Sequence, residues 1–148
     1  MASIKKILFP LDLTEAVPKI SPYVKLMAEK FGAEVHVLFV AHVTQYYANI
    51  DMSYAYVADF ESEVVARSKE KLAALVAEAF PGMSITAKVV TGYPGEEILR
   101  YVVDEKIDLI VMGHSRAGIE RVLFGSVADR VVKYAPVPVL VVNPNLVA

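Results

Sequence analysis

No cysteine occurs in the chain, which excludes disulfide bridges and thiolate metal sites. Basic clusters are missing too. Lysine and arginine total 15 against 17 aspartates and glutamates, the formal net charge is −2, and the densest basic run is the pair Lys5-Lys6. A protein that grips nucleic acid through its phosphates needs a basic stripe, so no nucleic-acid partner is expected. No apolar stretch approaches the ~20 residues of a membrane span, so no membrane partner is expected either. The opening MASIKKILFPLDL has too short an apolar core before Pro10 and Asp12 to read as a signal peptide. Internal repeats and linkers are absent, and so is the G-x-x-x-x-G-K-[ST] pattern of a P-loop. What remains is a chain of 148 residues, 55% apolar and 22% charged, the composition of a globular protein. One domain over residues 1–148 is expected, in a cytoplasm with which the lack of cysteine is compatible.

The stretch KIDLIVMGHSRAGIERVLFGSV, Lys106 to Val127, organises the rest. Ile107 to Met112 is an almost unbroken apolar run, the mark of a strand buried on both faces. Gly113 ends it, and a polar loop with His114, Ser115, Arg116 and Gly118 follows. Gly125-Ser126 then opens a run in which Val127, Val131, Val132 and Ala135 recur at helical spacing. A strand, a glycine-containing loop and a helix start present unpaired N–H groups and a helix dipole to one point, where a phosphate fits. A plain crossover whose glycines only turn the chain is the competing reading.

Along the chain, Ile4 to Leu11 reads as the first strand, ending near Pro10, with Asp12 just beyond and Thr14 as a candidate helix cap. Val17, Ile20, Val24, Met27, Ala28 and Phe31 give a helical period. Ser21-Pro22 suggests that its regular part starts only there, and Gly32 stops it. Glu34 to Val43 is the second strand. Residues 44–56 hold four of the eight tyrosines and fit neither period, so a long loop is expected, either a ligand lid or subunit contact or a loop packed on itself. Val57 to Phe80 follows as the longest helix, Ser84 to Val90 as the third strand, and PGEEILRYVVDEK as a helix opened by Pro94. The helix from about Ser126 to Tyr134 and the strand Val139–Val142 close the series. Five strands alternating with four helices specify an α/β fold, a parallel sheet with helices on both faces and right-handed crossovers. Ligands of such sheets bind beyond the carboxyl ends of the strands, where Asp12, Val40, Gly92 and Gly113 all fall.

At this point the chain resembles the universal stress protein family. The resemblance rests on ILFPLD at 7–12, LFV at 38–40, TGYPGEEIL at 91–99, DLIVMG at 108–113 and GSVADRVVKYAPVPVLVV at 125–142, in the family's order and spacing. It implies a three-layer sandwich of the adenine-nucleotide alpha hydrolase-like type, with strand order 3-2-1-4-5. It also implies a homodimer paired through the last strand, Val139–Val142, whose exposed apolar edge gives a monomer a physical reason to associate. Members that bind ATP resemble G-x-x-G, nine residues, then G-S or G-T. Here Gly113 and Gly125-Ser126 match, but Arg116 replaces the second glycine and only eight residues separate it from Gly125. Arginine forgoes the close backbone approach that glycine allows, yet its fixed charge can pair with phosphate oxygens.

By the same resemblance Asp12 and Val40 frame a nucleoside, Gly113, Arg116, Gly125 and Ser126 surround phosphates, and Pro10 and Val127 lie alongside. The ligand implied is ATP or AMP, with Mg²⁺ as a bridging ion. The residues also admit blander roles: Asp12 as a turn carboxylate, Val40 as core, Ser126 as a helix cap. His36 and His42 stand six apart, about 20 Å in an extended strand, so they do not share a metal ion. His114 could contact phosphate or act as a general acid. No serine has a nucleophile elbow and no base is paired with a nucleophile, so dedicated catalysis is not expected beyond slow ATP hydrolysis. Two functions stand: a stress-response regulatory module that binds an adenine nucleotide, or a universal stress protein without nucleotide that acts through a protein partner.

Overall fold

The computed structural model describes residues 2–12, 16–42, 54–114, 125–145 and 147. Its strands are β1 (Lys6–Leu11), β2 (Glu34–Ala41), β3 (Ile85–Thr91), β4 (Leu109–Gly113) and β5 (Val139–Val142). Its helices are α1 (Val17–Phe31), α2 (Tyr54–Ala79), α3 (Pro94–Asp104) and α4 (Ser126–Tyr134). All pairings are parallel and the sheet order is β3-β2-β1-β4-β5, the doubly wound order implied by the family resemblance.

Strand periodicity divides the core in two. Ile7 and Phe9 of β1, Val35 and Val37 of β2, and Leu109 and Val111 of β4 pack with α1 and with Leu72 of α2. Their neighbours one residue along, Leu8, Leu38, Ile110 and Met112, pack on the other face with Ile98 and Val102 of α3 and Ala128 and Val131 of α4. Both faces of the central strands are therefore apolar, and the near-continuous hydrophobic runs of the sequence follow from that. Among the described residues no helix is long and apolar enough to cross a membrane.

Several boundaries differ from the sequence expectation. β1 runs from Lys6, not Ile4, and ends as expected at Leu11. α1 starts at Val17 with Pro18 in its first turn and carries Pro22 inside, so the expected later start at Ser21-Pro22 is wrong. Both prolines lie on the exposed side of the helix, where water can satisfy the carbonyl that Pro22 leaves without a donor. The residue capping α1 is Ala16, without a side-chain bond; Thr14, the cap candidate from sequence, lies outside the described residues. Gly32 ends α1 at φ 61°, the left-handed conformation expected of it. α2 begins at Tyr54, so residues 54–56, expected in the loop, are helical. The rest of that loop, 44–53, lies outside the described residues.

Pro10 shapes the functional end of the sheet. The Lys6 carbonyl accepts the Asp108 N–H on the β4 side, whereas the Lys5 carbonyl accepts the Glu34 N–H on the β2 side. Backbone groups alternate along a strand, so Pro10 faces β4, and there it has no N–H to donate. The β1·β4 register ends at Leu8↔Ile110, while β1·β2 continues to Leu11↔Phe39. β1 and β4 thus part at their carboxyl ends, between the two halves of the sheet.

Candidate ligand-binding cleft

A cleft of about 990 Å³ opens where the strands part. β1 contributes Pro10 and Leu11, with Asp12 directly after; β2 contributes Val40 and Ala41, with His42 directly after. Met112 and Gly113 end β4 and His114 follows. Two helix N-termini complete the wall, Pro94 and Gly95 of α3 and Ser126 and Val127 of α4, the latter preceded by Gly125. Peptide dipoles of both helices put partial positive charge at this end, and their first N–H groups have no intrahelical acceptor.

Pro10, Asp12, Val40, Gly113, Gly125, Ser126 and Val127, predicted from sequence, all line this one cleft. Arg116 lies outside the described residues. Gly113 and His114 are tied to the end of β5 by the His114 N–H, which donates to the Val142 carbonyl at 3.2 Å. The Gly125 N–H in turn donates to the His114 carbonyl, joining the end of β4 to the start of α4. Gly125 caps α4 at φ −62° and ψ 152°, a conformation open to any residue, so its backbone angles do not demand glycine.

Sequence reasoning missed several lining groups. His42 packs against Tyr93, ring centroids 5.0 Å apart, across the gap between the end of β2 and the start of α3. Arg130 and Lys133 of α4 also reach the cleft, and their spacing from Ser126 along a helix, four and seven residues, is the signal that could have found them. Lys133 pairs with Asp129 at 3.2 Å, and Arg130 lies 3.5 Å from Glu96 of α3.

The other histidine of β2 does separate work. His36 is buried, its Nδ1 lies 2.7 Å from the Tyr101 hydroxyl and its Nε2 3.1 Å from Glu34 Oε1. The hydrogen bond from His36 holds the Glu34 carboxyl below its ordinary range, with Lys6 adding to the effect. Burial, then the carboxylates of Glu105 and Glu34, pushes the Tyr101 hydroxyl up to about 12. Among the described residues no group of three or more histidines and carboxylates could hold a metal ion.

A doubly wound parallel sheet with a cleft at its β1/β4 switch point, walled by two helix N-termini, defines an α/β protein of the class that binds ligands beyond the carboxyl ends of its strands. The model of the universal stress protein family matches residues 3–143, and the chain belongs to that family. It is 33% identical over 141 residues to Universal stress protein MJ0531 of Methanocaldococcus jannaschii, spanning 94% of this chain and 82% of the relative. Universal stress protein MJ0577 of the same organism is 30% identical over 156 residues, with 94% of each chain covered. The solved structure of MJ0577 superposes with a TM-score of 0.80, covering 96% of this chain and 97% of that one. More distant structures share the fold. A universal stress protein in complex with cAMP has a TM-score of 0.69 at 16% identity, covering 97% of this chain and 99% of that one. One from Archaeoglobus fulgidus in complex with dAMP has a TM-score of 0.65 at 18% identity, covering 95% of this chain and 98% of that one.

Proposed function

We propose that this universal stress protein is a cytoplasmic, homodimeric regulatory module that binds an adenine nucleotide, ATP or AMP, in the cleft between β1 and β4. The observation that carries the reading is the convergence of residues from separate parts of the chain, Asp12, Val40, Gly113, Gly125 and Ser126, on one cleft at the switch point. Two proteins of the same fold hold adenine nucleotides, cAMP and dAMP, which supports the same ligand class here. In this reading the backbone and side chain of Val40 meet the base, and the Asp12 carboxylate accepts from the sugar hydroxyls. The phosphates lie toward Gly113, Gly125 and Ser126, with Pro10 and Val127 closing the apolar sides and Arg116 supplying a guanidinium from the loop. Magnesium ion would be held chiefly by the phosphates themselves, because it keeps several waters and takes only one or two carboxylates from a protein.

The test begins with freshly purified protein, denatured so that any released nucleotide is identified by chromatography and mass. Ligand-free protein is then titrated with ATP–Mg²⁺ by calorimetry. Stoichiometric adenine nucleotide, or binding in the micromolar range, is the expected result. No nucleotide, no heat and an unchanged melting temperature at millimolar ATP would overturn the reading and leave a module that works through a protein partner.

A further inference from the structure

Arg130 is held in place on two sides, by Tyr134 and Gly95, and neutralised poorly on a third, by Glu96. Its guanidinium carbon lies 5.6 Å from the centroid of the Tyr134 ring, one turn further along α4. The aliphatic stem lies on Gly95, so closely that a Cβ built on Gly95 would stand 2.7 Å from the Arg130 Cδ. The Glu96 carboxylate is 3.5 Å from its Nη2. Good guanidinium–carboxylate bonds run near 2.7–2.9 Å, and Arg67–Glu63 at 2.6 Å and Arg100–Glu97 at 2.9 Å approach that in this molecule. The Arg130 and Glu96 side chains are 51% and 53% exposed, so water screens what attraction remains.

Gly95 points the same way. It is a buried residue in the first turn of α3, where glycine is a poorer helix former than alanine by about 1 kcal/mol. It is not among the glycines with positive φ, so backbone conformation does not require it. Its bare Cα leaves room for the stem of Arg130. Gly95, Glu96, Arg130 and Tyr134 all line the cleft, and the Arg130–Glu96 pair joins the α3 and α4 walls.

We propose that Arg130 is an anion-recognition residue of this cleft, positioned by Gly95 and Tyr134 and held in reserve by Glu96, which a phosphate group of the ligand displaces. The inference rests on the nucleotide reading above and adds to it a further residue that favours nucleotides over nucleosides. A phosphate accepts from the guanidinium in two-pronged fashion and carries more charge than the carboxylate it replaces. Glu96 acts as an internal competitor whose removal frees the arginine.

Calorimetric titration of the full chain with ATP–Mg²⁺ and, separately, adenosine tests this. Arg130→Gln weakens ATP about five- to tenfold, in the range of one partly exposed charged hydrogen bond, and leaves adenosine within about twofold. Glu96→Gln tightens ATP about threefold, and does so only while Arg130 is present, so the gain vanishes in the double variant. Gly95→Ala weakens ATP although it favours the helix, because the new methyl group displaces the arginine stem. If the unaltered protein binds ATP and Arg130→Gln binds it equally well, or if Glu96→Gln tightens ATP equally without Arg130, the role of Arg130 is refuted while the nucleotide reading stands. If the unaltered protein binds neither ATP nor adenosine, the nucleotide reading fails and this inference with it.

Discussion

The Tyr101 hydroxyl of α3 lies 2.7 Å from Nδ1 of His36 in β2, joining helix and sheet through a buried polar bond. An ionised Glu34 only accepts, so the Nε2 of His36 carries the proton between them, and in that tautomer Nδ1 accepts from the tyrosine. The two rings also meet edge to face, centroids 5.8 Å apart. Burial, then the carboxylates of Glu105 and Glu34, keep the phenol proton in place, and its loss opposes folding. An unfolded tyrosine deprotonates near pH 10, and Tyr101 in the fold at about 12. Between those values the unfolded chain binds fewer protons than the folded one, so this contribution to stability is complete below pH 10 and is lost as pH rises toward 12. Tyr101→Phe is expected to cost about 1 kcal/mol at neutral pH by leaving Nδ1 without its donor. It is also expected to flatten the fall in melting temperature above pH 10. Parallel melting curves for the two proteins over that interval would contradict the assignment.

Asp108 is a second unannounced joint. Its Oδ2 accepts the N–H groups of Lys5 at 2.8 Å and Lys6 at 3.0 Å, pinning the entry of β1 to the entry of β4. Asp108→Ala removes the acceptor from both donors and is expected to lower stability by about 1–2 kcal/mol, measured by urea unfolding. Asp108→Asn keeps an oxygen acceptor and is expected to recover part of the loss. Equal stability of all three proteins would show that water replaces the carboxylate at no cost.

Those joints mark the boundary of what the sequence made legible. The strands could be read because both faces of β1, β2 and β4 are buried, which writes runs such as ILF and DLIVM directly into the chain. Gly32 and Pro94 marked helix ends because each meets a local conformational demand. The cleft residues were found by topology: a doubly wound sheet gathers strand ends at one edge whatever their sequence separation. Gly95 and the His42–Tyr93 pair were not found, because their roles arise from contacts between elements and no local period records them; Arg130 was passed over although it stands one helical turn after Ser126. The start of α1 was misread for a related reason. Pro22 disfavours a helix locally, and the burial of Val17, Ile20 and Val24 against the sheet outweighs it.

Gly125 tests whether the cleft needs backbone access. Its angles suit any residue, so Gly125→Val is expected to leave the circular dichroism spectrum close to that of the unaltered protein, with a small loss of stability because valine is a poorer helix cap than glycine. Its branched side chain would stand at the first turn of α4, beside Ser126, where a phosphate approaches in the proposed reading. Loss of ATP binding by at least about tenfold is expected, well above the cost of one ordinary contact. Unchanged ATP affinity in a folded variant would remove Gly125 from the site.

The last strand makes the most specific prediction, since the backbone states which of its groups are spare. The Pro138 carbonyl accepts from Ile110 and the Val142 carbonyl accepts from His114, so residues of even number in β5 face β4. By the two-residue alternation of a strand, Val139 and Val141 turn their N–H and carbonyl groups outward, along an apolar edge that a second copy can pair with. Val141→Pro removes one outward donor and none of those that bond to β4, and proline is tolerated on an edge strand of this kind. If the homodimer forms through this edge, Val141→Pro is expected to sediment as a folded monomer while the unaltered protein sediments as a dimer. Val142→Pro is its counterpart: it removes a donor directed at β4, and is expected to lower stability whether or not the dimer forms. A Val141→Pro variant that remains dimeric would move the contact to another face of the molecule.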